Sequence, residues 1–325
     1  MLLAAEKVFD LMNEYGGQHK PFLFGIDFDV ENGFFFEPEK AESTGILFNI
    51  NGIGNCAQPL TSVNPVTLVK KPVAKHIYEQ AFGIVHQNLL AGNSYLTNLT
   101  FPTPIQINAS LPEIFARSNA RYRLLFDDQF VVFSPEIFVQ IVDGVIRSFP
   151  MKGTIDASIP EAEAAILNDP KETAEHNTIV DLIRNDLSMV AEDVQVERFR
   201  YLEKIVTHEK TLLQVSSQIS GKLPQGFHAE LGSIFKKLLP AGSVSGAPKT
   251  KTLQIIREAE NYPRGFYTGV FGYFNGSTLD SGVMIRFIQN ENGKLTFCSG
   301  GGITINSNSS AEYNELIDKV YVPFI

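Results

Sequence analysis

Aromatic and β-branched residues fall in short runs closed off by turn residues, and this pattern limits the possible folds more than anything else in the chain. In the first half the runs cover residues 22–28, 33–36, 46–50, 122–126, 130–133 and 145–149. Each has the length and the Phe, Val and Ile content of a single strand. Helical spacing of apolar residues marks 73–90 between them, then 161–167, 172–187, 229–238 and 248–260 in the middle. Strands return at 265–274, 278–289 and 295–298, and a last helix is expected at 311–320. Tight turns such as Glu291-Asn292-Gly293 join neighbouring strands into hairpins, which makes the pairing antiparallel. Strands and helices cluster instead of alternating, so the class is α+β, mostly antiparallel sheets with helices outside.

Composition narrows the function. The chain has 325 residues, 44% hydrophobic and 19% charged, enough for a well-filled core. No repeat or long Pro/Gly linker divides it, so one unit is expected. A net charge of -9 repels a polyanion and argues against nucleic acid as a partner. A small anionic substrate would need a locally positive pocket. Cys56 and Cys298 stand too far apart in sequence to suggest a disulfide framework, which reads as a cytosolic, cytoplasmic protein. The first fifteen residues show helical spacing without a signal peptide's basic start, and no apolar run is long enough for a membrane span.

Candidate chemistry rests on charged residues and glycines. Glu172 and Glu175 lie three apart near the start of one expected helix, and Glu312 and Glu315 three apart near the start of another. Each pair shares a face. If the faces meet, four carboxylates surround one point, which suits a hard cation such as Mg²⁺. Helix capping explains the same residues differently, with Ser309 and Glu312 forming a capping box. The six histidines form no zinc-hydrolase pair.

Two glycine-rich segments could offer backbone N–H groups to an anion: Gly242 to Lys249, and a loop carrying Gly300, Gly301 and Gly302. The first fails as a nucleotide phosphate loop because Ala247 and Pro248 separate Gly246 from Lys249. Gly52 to Cys56 reads as a turn. Lys152, in Phe149-Pro150-Met151-Lys152-Gly153-Thr154, stands between a rigid turn and an acidic helix-forming stretch. It can be a solvated turn residue or a nucleophile. A nucleophilic amine must be unprotonated, so the fold would have to lower its pKa from about 10.4 by desolvation or nearby cations.

Several long strings together resemble the chorismate-utilising enzymes, the family of anthranilate, aminodeoxychorismate, isochorismate and salicylate synthases. The run from Glu175 to Leu187 (EHNTIVDLIRNDL) is similar to that family's EHxxIVDLxRNDL helix, and Gly242 to Lys249 to its GSxTGAPK segment. Tyr267-Thr268-Gly269 resembles its YxG strand, and Gly300 to Ile303 with Ala311 to Glu315 its GGGI and AEYxE signature. Agreement is dense from about Gly92 onward. The resemblance implies one chorismate-binding domain over 1–325, with a divergent, shortened part at 1–91 and the family core at 92–325. It also implies an anthranilate synthase-like fold, with the sheets packed as a central sandwich.

For the site, the resemblance implies Mg²⁺ on Glu175 and Glu315, with Glu172 and Glu312 contributing directly or through water, gripping one carboxylate of chorismate. Tyr267, Arg286, the amides of Gly300, Gly301 and Gly302, and Lys319 would hold the other carboxylate. Lys152, with Gly153 and Thr154 in the same motif, is the form typical of aminodeoxychorismate synthase, whereas relatives that act at C2 directly usually carry Ala. The implied reaction adds the Lys152 amine at C2 as the C4 hydroxyl leaves; ammonia then adds at C4 and expels the lysine. Ammonia would come from a separate glutamine amidotransferase subunit, since Cys56 lacks a glutaminase context. Leu96 stands where amidating relatives carry Gln and hydroxylating ones a Lys base, Gln214 where many carry His, and Ser188-Met189 where Gly-Arg is usual. The shortened N-terminal part suggests a reduced tryptophan feedback region. Anthranilate synthase and a non-catalytic chorismate-binding scaffold are the competing readings.

Overall fold

The aromatic runs become strands because their tight turns bring neighbours side by side. A computed structural model describes residues 2–56, 65–206 and 211–323. Every strand pairing among the described residues is antiparallel. The strands form one ten-stranded and one nine-stranded sheet. In the first, Phe22–Ile26 lies between Asn32–Phe36 and Val270–Phe274. In the second, Lys294–Ile303 lies between Leu96–Ile107 and Phe287–Glu291.

The sheets face each other across an apolar layer. Phe34 and Phe271 of the first sheet meet Phe48, Phe126 and Phe287 of the second there. Burying each ring contributes about 1.5–3 kcal/mol relative to exposure. Helices Ala5–Gly17, Pro170–Ser188 and Leu231–Leu238 cover the other face of the first sheet through Phe9, Ile183 and Phe235. Helices Lys75–Leu90, Lys249–Glu260 and Ser309–Asp318 cover Leu99 and Phe101 of the second. The result is a two-sheet sandwich with helices outside, as the α+β reading expects.

Departures from the sequence reading shape the site. Residues 278–289 are two strands, not one: Leu279–Val283 in the first sheet and Phe287–Glu291 in the second. The chain changes sheets through Arg286, whose φ is 53°. Apolar residues continue through the crossing because both sides are buried, so composition does not mark it. Likewise only Val270–Phe274 of the expected 265–274 is strand, and Thr268 just before it has φ 62°. Residues 299–303, expected as a loop, extend the strand Lys294–Ile303, paired with Leu96–Ile107. That partner was missed because Pro102 and Pro104 argue against a central strand.

Lys152 lies on a strand, Met151–Asp156, not in a turn before a helix. This strand pairs with Thr211–Lys222, which also pairs with Glu192–Val206. No expected strand covered that long hairpin. Register shifts at 192/195, 196/198 and 198/201 break the two-residue alternation that would reveal it, with Asp193 and Arg200 in left-handed conformation. Of the expected turn from Gly52 to Cys56, only Gly52 belongs to a turn, with Asn51; Ile53–Gly54 is a short strand paired with Ile46–Ile50.

Candidate active site

Three glycines in a strand leave room beside the backbone, and charged side chains from other elements fill it. A Cβ at Gly302 would lie 3.0 Å from Lys152 Nζ and 3.1 Å from Leu96 Cδ1. At Gly301 it would lie 3.6 Å from Lys319 Nζ, 3.7 Å from Glu312 Oε2 and 3.8 Å from Glu315 Oε1. The Gly300 carbonyl accepts a 2.9 Å bond from Lys319 Nζ. A side chain at 301 or 302 would crowd this space.

The carboxylates come from two helices. Asp169 caps Pro170–Ser188 by accepting from the Glu172 N–H, which places Glu172 and Glu175 in its first two turns. Glu175 Oε2 accepts from Lys152 Nζ at 2.9 Å. Glu172 Oε2 lies 3.0 Å from where Gly153 would carry a Cβ, and Gly153 has φ 81°. The left-handed backbone favours glycine there, while the Glu172 carboxylate is the end of a flexible side chain that can move aside. The helix Ser309–Asp318 is capped by Asn308, whose side chain accepts from the N–H groups of Ser310 and Ala311. The expected Ser309–Glu312 capping box is therefore not formed, and Glu312 turns its carboxylate toward Gly301. Glu315 Oε1 is 2.7 Å from Lys319 Nζ, one turn on.

The two lysines differ in electrostatics. Burial pulls the Lys152 ammonium down, but Glu175, Glu315 and Glu172 pull it up by more, so its pKa is raised. The sequence argument required the opposite for a resting nucleophile; three carboxylates outweigh desolvation. Lys319 is lowered, chiefly by burial and further by Lys152 and Arg286, against the pull of Glu315.

Oxygen-only donors are the chemistry a hard cation needs, and bare Gly301 leaves a recess between Glu312 and Glu315. As the side chains stand, no three His, Cys, Asp or Glu among the described residues enclose a metal position. Glu175 and Glu315 each hold a lysine instead. The set fits Mg²⁺ provided those lysine bonds yield to it.

Tyr267 is buried, with its phenol pushed up by that burial. Arg286 is close enough to lower Lys319 and to oppose the rise of a residue that sequence reasoning missed, Glu136. Burial pushes the Glu136 carboxyl up; the Ser243 hydroxyl, donating at 2.5 Å, and the charges of Lys152, Lys319 and Arg286 oppose it. A cavity of about 30 Å³ borders Glu136 and Ser243, room for one water-sized molecule. The signal for Glu136 was a lone acid between Pro135 and an apolar strand, Ile137–Val142.

Thr154 is not drawn in. It is exposed, opposite Gln214, with the irregular step at Gly153 separating it from Lys152. Lys249 is committed elsewhere, to Asp186 at 2.8 Å and the Leu238 carbonyl at 2.7 Å, which accounts for its failure as a phosphate-loop lysine.

The fold has counterparts among known proteins. A family model described as chorismate binding enzyme matches residues 36–324, and the chain belongs to that family. An uncharacterized PabA-like protein of Haemophilus influenzae is 52% identical over 96% of this chain and 94% of its own length. Anthranilate synthase component 1 of Pseudomonas aeruginosa is 34% identical over 74% of the chain. Aminodeoxychorismate synthase component 1 of Salmonella typhimurium is 32% identical over 75%. The matches span 51% and 56% of those two enzymes. Among solved structures, anthranilate synthase component I of Streptococcus pneumoniae aligns with TM-score 0.66 and 26% identity, over 79% of this chain and 59% of that one. The menaquinone-specific isochorismate synthase of Escherichia coli aligns over 98% and 82% with TM-score 0.75; at 16% identity it bears on the fold alone. Among the described residues no helix is long and apolar enough to cross a membrane.

Proposed function

We propose that this chain is the chorismate-aminating component of an aminodeoxychorismate synthase, converting chorismate and ammonia to 4-amino-4-deoxychorismate, a precursor of p-aminobenzoate and folate. The observation that carries this reading is the position of Lys152: its Nζ lies against Gly302 and is bonded to Glu175, among the carboxylates that would face the substrate. Leu96 beside it offers no base for water, which favours an amine over a hydroxyl product.

In this reading Arg286, Lys319, Tyr267 and the amides of Gly300, Gly301 and Gly302 hold one chorismate carboxylate, with a guanidinium fork suited to two oxygens. Mg²⁺ on Glu172, Glu175, Glu312 and Glu315 would supply positive charge against the other. Lys152, once released from Glu175 and with its ammonium proton lost to solvent, forms the Nζ–C2 bond while both ring double bonds shift and the C4–O bond breaks. Glu136, whose carboxyl is pushed up by burial, would give the departing hydroxyl its proton. Ammonia then bonds to C4, the C2–Nζ bond breaks, and Lys152 leaves as the amine. The pyruvyl group stays on the ring.

A separate glutaminase subunit would deliver the ammonia. The Cys56 thiol is pushed up by burial, unlike an activated nucleophile. One observation favours the second reading, anthranilate synthase: the raised pKa of Lys152 suits a substrate-binding cation better than a nucleophile.

The deciding experiment incubates the purified chain with chorismate, Mg²⁺ and ammonium and identifies the product by mass spectrometry, with aminodeoxychorismate lyase in a parallel reaction. A pyruvate-bearing amine convertible to p-aminobenzoate, lost when Mg²⁺ is chelated, is expected. Anthranilate would overturn the reading in favour of its competitor. Absence of product with the glutaminase also present would leave a binding role.

A further inference from the structure

Arg286 makes an unusual set of contacts for a cation in a cleft lined with carboxylates. Among the described residues no carboxylate or carbonyl accepts from its guanidinium, so its N–H donors are left for a ligand. What it does meet is an aromatic face: the guanidinium carbon lies 5.0 Å from the ring centroid of Tyr321. That distance is within range for cation–π attraction, which orients the group without using its donors.

The tail carrying Tyr321 is anchored. It leaves the helix Ser309–Asp318 through a turn at Lys319, whose carbonyl accepts from the Tyr321 N–H at 3.2 Å. Val320 is buried at 2% exposure in the apolar cluster of Ile114, Phe133 and Phe297, and Val322 packs against the same cluster. The Pro323 carbonyl accepts from the Asn119 N–H at 3.3 Å. With its neighbours on both sides turned into the core, Tyr321 turns outward, 47% exposed, and meets Arg286. Lys319 in the same segment bonds the Gly300 carbonyl. The backbone of Arg286 is itself constrained, since its φ is 53° and its carbonyl accepts from the Phe133 N–H at 3.1 Å.

We infer that Tyr321 is a positioning residue for substrate binding: its ring is the platform that aims the Arg286 guanidinium at a carboxylate of the ligand. The inference rests on the reading of Arg286 as a chorismate carboxylate ligand. A ring that only covered the tail would be replaceable by any apolar side chain of similar bulk.

The test measures chorismate affinity by calorimetry, and KM and kcat by chorismate consumption with ammonium and Mg²⁺. Tyr321→Ala and Tyr321→Leu are each expected to weaken binding and raise KM about three- to tenfold, with kcat within about twofold. Tyr321→Phe should stay within about twofold of the parent, and Tyr321→Ala should add nothing in an Arg286→Ala background. Unchanged affinity in Tyr321→Ala, or full retention in Tyr321→Leu, would overturn the inference. So would an equal loss with and without Arg286. The Arg286→Ala variant alone checks the underlying reading: normal chorismate binding there would remove Arg286 from the site, and the platform with it.

Discussion

Arg264 and Lys152 are both cations held by glutamates, and the two regions around them use charge in opposite ways. The Arg264 and Glu260 side chains are each 1% exposed and lie four residues apart, Glu260 ending the helix Lys249–Glu260. The Arg264 guanidinium bonds both Glu260 oxygens and also donates to the carbonyls of Val244 at 2.8 Å and Asn98 at 2.7 Å. Glu260 accepts in turn from the Thr100 N–H and hydroxyl. Donors and acceptors are matched, and the network ties a strand of the second sheet to the Gly242 to Lys249 segment. Around Lys152 the side chain is 24% exposed, Lys152 pairs with Glu175 and Lys319 with Glu315, and Arg286 has donors to spare. A closed network fixes backbone segments. An open one leaves charge that a ligand can complete.

The largest expected difference is in chemistry. Lys152→Ala should lower aminodeoxychorismate formation at least about a thousandfold while the protein stays folded. A coupled p-aminobenzoate assay measures the first and thermal unfolding the second. Undiminished synthesis would end the covalent role.

The closed network should answer in stability. Arg264→Leu leaves Glu260 buried without its cation, and breaking such a pair costs about 3–5 kcal/mol. Urea unfolding should show that loss. A change under about 1 kcal/mol would mean that the carboxyl simply takes up a proton and that the network contributes little.

Glu136 lies between the two behaviours, half-buried where Glu260 is buried, and facing the charges of the cleft. As a proton donor it should give turnover a limb that falls as pH rises through its raised pKa, because the working form is the acid. Glu136→Gln should slow turnover about a hundredfold and abolish that limb. A pH profile unchanged in shape would assign the limb to another group.

The contrast also explains what could be read from sequence. Glu172, Glu175, Glu312, Glu315 and the three glycines lie in strings whose spacing and family likeness survive without knowledge of the fold. The antiparallel α+β class was legible because its strands are short, apolar and closed by turns, whereas the sandwich packing came from the family likeness. The crossing at Arg286, the strand with Pro102 and Pro104, and the bulged hairpin Glu192–Val206/Thr211–Lys222 were not, since tertiary pairing overrides local preference there. Arg264 was missed for a related reason: a lone Arg between Pro263 and Gly265 looks solvated until Glu260, Asn98 and Val244 are brought around it. The direction of the Lys152 shift needed the fold as well, because it depends on three carboxylates from two distant helices.

The smallest effect tests whether the open region yields when pressed. Gly153→Ala places a methyl in a left-handed backbone position, at φ 81°, and 3.0 Å from Glu172 Oε2. The backbone strain costs about 1 kcal/mol. The contact should cost little more, because the atom met is the end of a flexible side chain that can swing away. The total stability loss is therefore expected to be about 1–2 kcal/mol by urea unfolding, well below that of Arg264→Leu. The displaced Glu172 is one of the carboxylates that raise Lys152, so the same variant should shift the pH dependence of turnover toward lower pH. A loss as large as that of Arg264→Leu would show that Glu172 is held as rigidly as Glu260, and the distinction between an open and a closed network would fail at this point.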